Sequence, residues 1–246
     1  GGIIATTQTG VRGDYYRLND ALDFDDQLTR AVPHLGLELR YPLAKTTTAA
    51  RHLLEPMVAL AWSDLYGDTP PNEDSTRPEF DPANLLALSR FSGDDAIETG
   101  PRAALGLHWR RLGNAGSVTS LTFGRVIRDT GDAQFTRTSG LQTRQSDWLL
   151  AGSWQSTDGL RIEARTLLSD SFDTNMTETR VGWQNDTLTL DAGYIWQNAD
   201  TDIGRLRNIS EWSFDAAVQV TPAWNVRFDT RYDVIADAPA RAGIGI

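Results

Sequence analysis

The sequence predicts an all-β fold: an antiparallel transmembrane β-barrel of about twelve strands that is a fragment of a larger barrel. Three observations predict it. Apolar and polar residues alternate along most of the chain, the alternating segments are long, and the links between them are alternately tight and open. Strict alternation places apolar and polar side chains on opposite faces of a strand, and helical spacing fits none of these segments.

Residues 224–234 show the alternation most clearly. The apolar residues of this segment share one parity: Trp224, Val226, Phe228, Tyr232 and Val234. The polar residues share the other: Asn225, Arg227, Asp229, Arg231 and Asp233. Such runs last about ten to fourteen residues, whereas soluble strands have a mode of about 5–6 and a tilted membrane-spanning strand needs about 9–11. The length therefore favours strands that cross a membrane.

Aromatic residues lie mostly near the predicted strand ends and on the apolar parity. They are Trp109, Trp148, Trp154, Trp183, Trp196, Trp212, Trp224 and Tyr232. This position is typical of the interfacial aromatic girdles of a barrel. The alternative is a soluble sandwich in which these side chains fill a core, but sandwich strands are shorter and less regularly connected.

The links between strands alternate in length. Tight turns are predicted at residues 113–116, 157–159, 185–186 and 221–223, where Asp-Gly and Asn-containing pairs suit hairpins that need positive φ. Longer links are predicted at residues 65–100, 129–145, 169–174 and 198–205. Because bacterial barrels carry short periplasmic turns and longer extracellular loops, we interpret residues 1–246 as one partial outer-membrane β-barrel domain. Its long extracellular loop lies at about 65–100, and its first strand is expected to be ragged around residues 10–13.

The amino-acid composition excludes several kinds of binding site and structure. A net charge of -10 and a single lysine, Lys45, exclude a basic surface for nucleic acid. The absence of cysteine excludes disulfides and thiolate metal sites within the chain. No stretch approaches the roughly 18–20 consecutive apolar residues of a membrane helix. Both ends interrupt the pattern, so we expect an internal piece of a longer chain.

The long loop and its flanks carry a series of short motifs. They are H-x-x-E-P at 52–56, N-E-D-S at 72–75, F-D-x-x-N-L at 80–85, R-F-S-G-x-D at 90–95 and R-x-x-x-G-L at 102–107. Over residues 51–109 this series resembles the lipopolysaccharide-assembly proteins of Gram-negative outer membranes, the LptD or organic-solvent-tolerance family. The loop residues that carry the resemblance are Asn72, Glu73, Asp74, Ser75, Phe80, Asp81, Asn84, Leu85, Arg90, Phe91, Ser92, Gly93 and Asp95.

One residue departs from the family pattern. The family usually carries Arg directly after the residue that matches Asp95, and Ala96 stands there in this chain. If that arginine normally pairs with loop carboxylates, the loop loses one tether, and Arg90 and Arg102 remain as partners. The acidic loop residues lack the D-x-[DN]-x-[DN]-G frame of a calcium loop, which favours arginine-paired or solvated carboxylates over a cation site.

The loop is also too apolar to lie free in solvent. We expect its apolar side chains to fold inward or over the barrel mouth, as in loops with small cores of their own. They are Phe80, Leu85, Leu86, Leu88 and Phe91.

The resemblance implies transport rather than chemistry. The full protein would receive lipopolysaccharide from periplasmic bridge proteins through an N-terminal domain that lies outside this chain, and a plug lipoprotein would sit inside the barrel. The sugar head would pass through the lumen while the acyl chains leave between strands into outer-membrane lipid. The resemblance implies a location in the outer membrane of a Gram-negative cell, and we expect no cofactor, no metal, no nucleic-acid partner and no catalytic residue.

Two other functions stay open. A passive diffusion porin shares the alternation and the charged lumen. A barrel-borne hydrolase would use His52 or His108, but no Ser or Cys nucleophile lies near these histidines in the sequence.

The charged parity of the strands is expected to line the lumen. The candidates are His34, Glu38, Arg40, Arg102, His108, Arg110, Arg161, Glu163, Arg165, Asp215, Arg227, Asp229 and Arg231. They could form cross-strand ion pairs that keep a wide barrel in shape. They could equally offer arginines to the phosphates of a glycolipid head group.

Overall fold

The computed structural model describes residues 2–19, 23–76 and 78–246. Over these ranges the regular secondary structure consists of β-strands, apart from two single-turn 3-10 helices at Arg137–Ser139 and Thr201–Ile203. The strands are β1 (Ile4–Arg17), β2 (Gln27–Arg40), β3 (Leu43–Thr46), β4 (Ala50–Ser63), β5 (Tyr66–Gly67), β6 (Gly100–Gly113), β7 (Val118–Arg128), β8 (Trp148–Gln155), β9 (Leu160–Leu168), β10 (Thr174–Gln184), β11 (Leu188–Gln197), β12 (Ile209–Thr221), β13 (Trp224–Asp233) and β14 (Ala238–Gly245).

All fourteen strands of the described residues belong to one antiparallel sheet. Twelve of them follow one another as hydrogen-bonded neighbours in the order β1-β2-β4-β6-β7-β8-β9-β10-β11-β12-β13-β14. The short β3 pairs with β4, and β5 pairs with β2. Within the described residues β1 and β14 end this path, so the sheet is not closed. The predicted fold class, an antiparallel barrel fragment of about twelve strands, is confirmed.

The tight turns lie where the sequence predicts them, but they are made in two ways. Gly116 and Gly159 adopt φ of +87° and +83°, a region that favours glycine. The prediction of positive φ at residues 185–186 is wrong. Asn185 instead accepts hydrogen bonds on Oδ1 from the N–H groups of Thr187 (2.9 Å) and Leu188 (2.8 Å), so its side chain closes the turn.

The expectation of a ragged first strand is also wrong. Strand β1 pairs with β2 without a register shift, and Gly10 lies opposite His34. A Cβ atom at Gly10 would lie 3.0 Å from Cε1 of His34, so the missing side chain leaves room for the imidazole. Gly10 therefore makes room for a neighbouring side chain and does not interrupt the strand.

Two compact units divide the chain. The first comprises Gly1–Pro42, Glu55–Leu107 and Gly124–Asp147, and the second comprises Leu43–Leu54, His108–Phe123 and Trp148–Ile246. In both units each pair of neighbouring strands has a polar face, which carries the charged parity, and an apolar face.

In the first unit the core lies between the polar face and the long loops. Strand residues on this face and loop residues are buried together: Val32, Met57, Ala59, Phe80, Leu85, Phe91, Ile97, Ala104 and Val126. A Cβ atom at Gly124 or Gly106 would lie 2.6 Å or 2.9 Å from Leu85 Cδ2, and one at Gly36 would lie 2.8 Å from Leu88 Cδ2. The glycines on the polar face therefore leave room for the side chains of loop leucines. This packing confirms that the apolar loop residues fold inward onto the sheet.

The apolar face is left open in both units. Leu35 in the first unit is 54% exposed, and Trp224 in the second is 61% exposed. Neighbouring strands of the second unit pair aromatic side chains on this face, with ring centroids 4.6 Å apart for Tyr194 and Trp212 and 6.2 Å for Phe214 and Phe228. A soluble sandwich would bury these side chains between two sheets, so that alternative is wrong.

In the part of the chain that the structure describes, no helix is both long and apolar enough to cross a membrane.

Candidate functional site

The residues of the family motif form the β5–β6 loop, residues 68–99, whose described part contains neither helix nor strand. Within it the segments 72–75 and 92–95 hold each other. The Asp74 carboxylate accepts hydrogen bonds from the N–H groups of Asp94 (2.8 Å) and Asp95 (3.0 Å). The Asp95 carboxylate accepts in return from the N–H groups of Glu73 (2.9 Å) and Asp74 (3.2 Å).

This reciprocal bonding has an electrostatic consequence. The N–H groups of Asp94 and then Asp95 stabilise the ionised form of Asp74 and lower the pKa of its carboxyl to about 2. A Cβ atom at Gly93 would lie 2.0 Å from Cγ of Asp74, so only glycine fits beside this carboxylate. The acidic residues of the motif therefore hold the backbone of the loop.

A second turn of the motif positions Leu85. Oδ1 of Asp81 accepts hydrogen bonds from the N–H groups of Ala83 (2.8 Å) and Asn84 (3.0 Å), and Asn84 Oδ1 accepts from the Asp81 N–H (3.1 Å). Asn84 Nδ2 also donates to the Glu79 carbonyl at 2.6 Å. The turn positions the fully buried side chain of Leu85 against Gly106 of β6 and Gly124 of β7.

A buried carboxylate, Glu98, joins the loop to the strands. Its Oε1 lies 3.0 Å from Arg90 Nη1, and its Oε2 lies 2.9 Å from Arg128 Nη2 and 3.8 Å from Arg102 Nε. All four side chains are almost completely buried. Burial raises the pKa of Glu98, but the charges of Arg90, Arg128 and Arg102 outweigh it and hold the pKa below its ordinary value. We call these four residues the Glu98 cluster.

The arginines of the Glu98 cluster also satisfy main-chain carbonyls. Arg90 Nη2 donates to Leu85 O at 3.0 Å, and Arg128 Nη1 donates to Leu141 O at 3.0 Å. Arg102 donates to Leu88 O (2.8 Å) and to Ser63 Oγ (3.0 Å). The cluster thus binds the β5–β6 loop to strands β4, β6 and β7.

A second contact fixes the turn at Asp94 and Asp95. Arg30, whose guanidinium is buried, donates to Asp14 (2.7 Å), to the Tyr16 hydroxyl (2.7 Å) and to the Asp95 carbonyl (2.7 Å), as well as to the Asp94 carbonyl. Arg12 contacts the Asp94 carboxylate and also donates a hydrogen bond to the main-chain carbonyl of Asp94 at 3.0 Å.

The turn is therefore held in place even though Ala96 stands where the family usually has Arg. Ala96 is buried beside the turn, and Arg12 and Arg30 of β1 and β2 hold the turn from the sheet. Arg90 and Arg102, the two partners expected from the sequence, do pair with a loop carboxylate, which is Glu98.

The loop between β7 and β8, residues 129–147, packs on the same core. Phe135 stacks on Phe91 with ring centroids 4.3 Å apart, and the Arg128 guanidinium lies 5.0 Å from the Phe135 centroid. Gln134 Nε2 donates to the Ile97 carbonyl at 3.4 Å. The two loops of the first unit therefore form one packed body on the polar face.

Four predicted lumen residues belong to the first unit. His34, Glu38 and Arg40 lie opposite Ser63, Ala59 and Met57, and Arg102 shares this face through its bond to Ser63. Arg40 Nε lies 2.5 Å from Glu38 and its Nη1 lies 3.7 Å from Glu55. A cavity of about 230 Å³ lies beside Glu38 and Arg40, and its other lining residues include Thr6, Gln8, Leu86 and Leu88.

The remaining candidates belong to the second unit: His108, Arg110, Arg161, Glu163, Arg165, Asp215, Arg227, Asp229 and Arg231. Ion pairs among the described residues cross its polar face from Arg165 to Glu178 (2.8 Å), from Arg161 to Asp191 (3.8 Å) and from Arg241 to Asp229 (2.9 Å).

Other candidates in this unit have neutral or like-charged partners. Arg227 and Arg231 lie opposite Ala217 and Ser213 of β12. Asp215 lies opposite two carboxylates, those of Asp191 on β11 and Asp229 on β13.

His108 and His52 have different neighbours in the structure. His108 Nδ1 forms a 2.9 Å hydrogen bond with Thr122 Oγ1, and His52 stacks on Trp109 at 5.9 Å between centroids. Among the described residues, no three His, Asp or Glu side chains are arranged to hold a metal ion.

The charged residues of the site that the sequence-based candidates omit include Arg12, Asp14, Arg30, Glu98 and Arg128. Four of them do carry a recognisable signal. Arg12, Asp14, Arg30 and Arg128 have the polar parity of their strands and lie towards the ends next to the long loops. Glu98 carries no such signal, because it lies outside any strand.

Comparison with known proteins gives a family match over most of the chain. The family model described as LptD, LPS transport system D, matches residues 1–224, which include the β5–β6 loop and strands β1 to β12. No curated protein matches the chain significantly. The match covers more than half of the 246 residues. The chain therefore belongs to the LptD family of LPS transport proteins.

Proposed function

We propose that this chain is part of an outer-membrane translocon that inserts lipopolysaccharide into the outer leaflet of a Gram-negative bacterium. One observation carries the proposal: the two faces of the sheet suit two different media. Large apolar side chains such as Leu60, Trp212 and Trp224 are exposed on one face, while charged side chains occupy the other. In water the apolar face would drive association, whereas a bilayer covers it with hydrocarbon and strand pairing satisfies the backbone.

The polar face of the second unit supports a path for a phosphorylated sugar head. The side chains of Arg161, Arg180 and Arg241 are 51%, 71% and 67% exposed there. Guanidinium groups bind phosphate oxygens by paired, charge-assisted hydrogen bonds. Each of these arginines also faces a carboxylate, so a passing phosphate would be held weakly and released.

The proposed role requires no covalent step. The chain would act as a guide and not as an enzyme, with energy supplied elsewhere in the transport chain. Its partners would be lipopolysaccharide, outer-membrane lipid, a plug lipoprotein inside the barrel and periplasmic bridge proteins that bind a separate N-terminal domain.

Depletion of the intact parent protein tests the role in the cell. We expect lipopolysaccharide to accumulate in the inner membrane or periplasm, and normal surface display after depletion would refute the proposal. Planar-bilayer conductance of the purified parent protein distinguishes a porin, because a porin would give a steady open current.

Site-specific photocrosslinking tests the path itself. A photoreactive residue at Ser213, on the polar face, should crosslink to lipopolysaccharide only while transport is energised. The neighbouring Phe214, on the apolar face, is the matched control and should give no energy-dependent product. Equal energy dependence at both positions would argue against a route along the polar face.

A further inference from the structure

A group of basic and aromatic side chains lies on the apolar face of the second unit, at the end of the strands where the short turns lie. Lys45 of β3 lies opposite His52 of β4, and the His52 ring stacks on Trp109 of β6 with centroids 5.9 Å apart. Arg111 follows Trp109 by two residues and so has its side chain on the same face of β6. We call Lys45, His52, Trp109 and Arg111 the Lys45 patch.

The charge of the Lys45 patch is positive and is not balanced by its own strands. The chain has a net charge of -10, yet residues 39–54 and 99–128 contain neither Asp nor Glu. Among the described residues, Lys45 and Arg111 form no ion pair. Two cations without a neighbouring carboxylate in these segments attract an anion.

The turns next to the patch hold its strands at one level. The N–H group of Asn114, in the turn after β6, donates to the Ala49 carbonyl at 3.1 Å, and Asn114 Nδ2 donates to the Thr48 carbonyl at 2.6 Å. The β6–β7 turn is thereby bonded to the β3–β4 turn. A Cβ atom at Gly113 would lie 3.2 Å from Arg111 Nη1, so the Arg111 guanidinium extends towards this turn.

Apolar side chains adjoin the patch on the side away from the turns. Leu43 and Leu54 lie opposite each other, two residues farther from the β3–β4 turn than Lys45 and His52. They are 42% and 36% exposed. Cations beside the turns and leucines farther along the strands follow the order of the phosphate and the acyl chains in a lipid. Trp109 is of the residue type that lies at the boundary between the two regions.

The place of the patch along the strands selects the lipid. Bacterial barrels carry their short turns on the periplasmic side, so a bilayer that covers the apolar face would place the patch in its periplasmic leaflet. The proposed function does not fill that leaflet with lipopolysaccharide. Because the patch offers no carboxylate to an ammonium group, it suits a head group of net negative charge better than a zwitterionic one.

We propose that the Lys45 patch binds one anionic phospholipid of the periplasmic leaflet. Lys45 and Arg111 bind the phosphate oxygens, and a ring N–H of His52 donates to the head group. The acyl chains run past Leu43 and Leu54. The inference rests on the proposed function, since it requires the apolar face to meet a bilayer and the short turns to face the periplasm.

Lipid retention by the full-length parent protein tests the site. The protein is delipidated in detergent, incubated with phosphatidylglycerol in mixed micelles, and examined by native mass spectrometry. We expect Lys45→Gln combined with Arg111→Gln to lose one retained lipid, with roughly tenfold weaker binding, as loss of one charge-assisted hydrogen bond would give. Arg51→Gln combined with Arg110→Gln is the matched control, because it removes the same charge from adjacent positions on the opposite face.

Two further comparisons sharpen the test. Lys45→Arg combined with Arg111→Lys keeps both charges and should retain the lipid, which separates loss of charge from faulty folding. Wild type should retain phosphatidylglycerol in preference to phosphatidylethanolamine, and the neutral double variant should lose this preference.

Three outcomes would overturn the proposal. Equal retention by wild type, the neutral double variant and its control would reject the site. Equal retention of the two phospholipids by wild type would reject the anionic head group. Displacement of phosphatidylglycerol from wild type by an equal concentration of lipopolysaccharide would reject a phospholipid as the occupant.

Photocrosslinking in proteoliposomes separates the site from the proposed function. A photoreactive residue at Phe214, on the apolar face of the second unit, should crosslink to bilayer phospholipid. A product at Phe214 together with unchanged retention by the neutral double variant would leave the membrane role standing and reject the Lys45 patch as a lipid site. Absence of a product at Phe214 would reject the membrane role itself.

Discussion

Glu98 Oε2 lies 2.9 Å from Arg128 Nη2, with both side chains buried, and this contact joins the end of the β5–β6 loop to the last residue of β7. The Glu98 cluster holds three guanidinium groups around one carboxylate. The other hydrogen bonds of these arginines go to neutral acceptors, which are main-chain carbonyls and the Ser63 hydroxyl, so Glu98 supplies the only negative charge among these four side chains.

Replacement of Glu98 by Gln should therefore release the loop. The change removes the carboxylate that all three buried guanidinium groups face, and breaking a buried pair in this way costs about 3–5 kcal/mol. We expect the folded electrophoretic band of the parent protein to be lost at a lower temperature, and the β5–β6 loop to become sensitive to protease. Glu178→Gln is the matched control, since Glu178 also meets two arginines but in a more exposed position. Equal effects of the two variants would contradict the role of burial.

The Asp74 turn predicts a pH dependence. The folded pKa of about 2 lies below the ordinary value of 3.8, so the stability that Asp74 contributes is present above pH 3.8 and is lost as the pH falls towards 2. Pepsin cleavage within residues 72–95, measured against an unstructured reporter peptide in the same tube, should rise over this window. In Asp74→Asn the cleavage should be high already at the upper end of the window and should change little with pH. Glu73→Gln should keep the wild-type profile, because Glu73 gives the turn its N–H and not its carboxylate.

Gly93→Ala tests the close approach inside the same turn. The added Cβ would lie 2.0 Å from Asp74 Cγ, so one of the two segments must move. Overpacking of this kind typically costs about 1–3 kcal/mol. We expect the loop to open to protease as in Asp74→Asn. Gly13→Ala is the control, because nothing lies within 4 Å of its added Cβ; similar proteolysis of the two variants would count against the packing argument.

The sequence was sufficient for the strands because their signal is local. Period-two alternation places Arg161 and Asp215 on the polar face without knowledge of the residues they meet. The turn at Gly159 follows from the Asp158-Gly159 dipeptide alone. Pairing across the fold is not local. Glu98 and Arg128 are 30 residues apart, and the period of neither segment indicates that they meet.

Similar reasons explain the two errors in the fold. At Gly10 the glycine suggested an interruption, but the His34 ring on the next strand occupies the space. At Asn185 the residue type predicts a turn correctly, but either its backbone or its side chain can close it, and only the structure shows that Oδ1 does so.

Asp215→Asn should stabilise the second unit. Asp215 lies between Asp191 and Asp229 on adjacent strands, and like charges directly opposite each other in a sheet are destabilising. Removal of the central charge should raise the temperature at which the folded band is lost, and the gain should shrink at high salt because screening weakens repulsion. Glu163→Gln is the control. Since Glu163 lies opposite Arg180, its neutralisation should give no gain.

Arg30→Lys tests whether the turn at Asp94 and Asp95 is held by geometry or by charge. Arg30 donates in fixed directions to Asp14, to the Tyr16 hydroxyl and to two loop carbonyls. Lysine keeps the charge but presents it as a point with fewer donors, so it cannot reach all four acceptors. We expect faster hydrogen exchange in residues 92–95, at a rate close to that of Arg30→Ala. Arg12→Lys should have a smaller effect because Arg12 is partly exposed and meets Asp94 at the surface. If Arg30→Lys protects the turn as well as wild type does, charge alone holds the loop, and Ala96→Arg should then add a further tether.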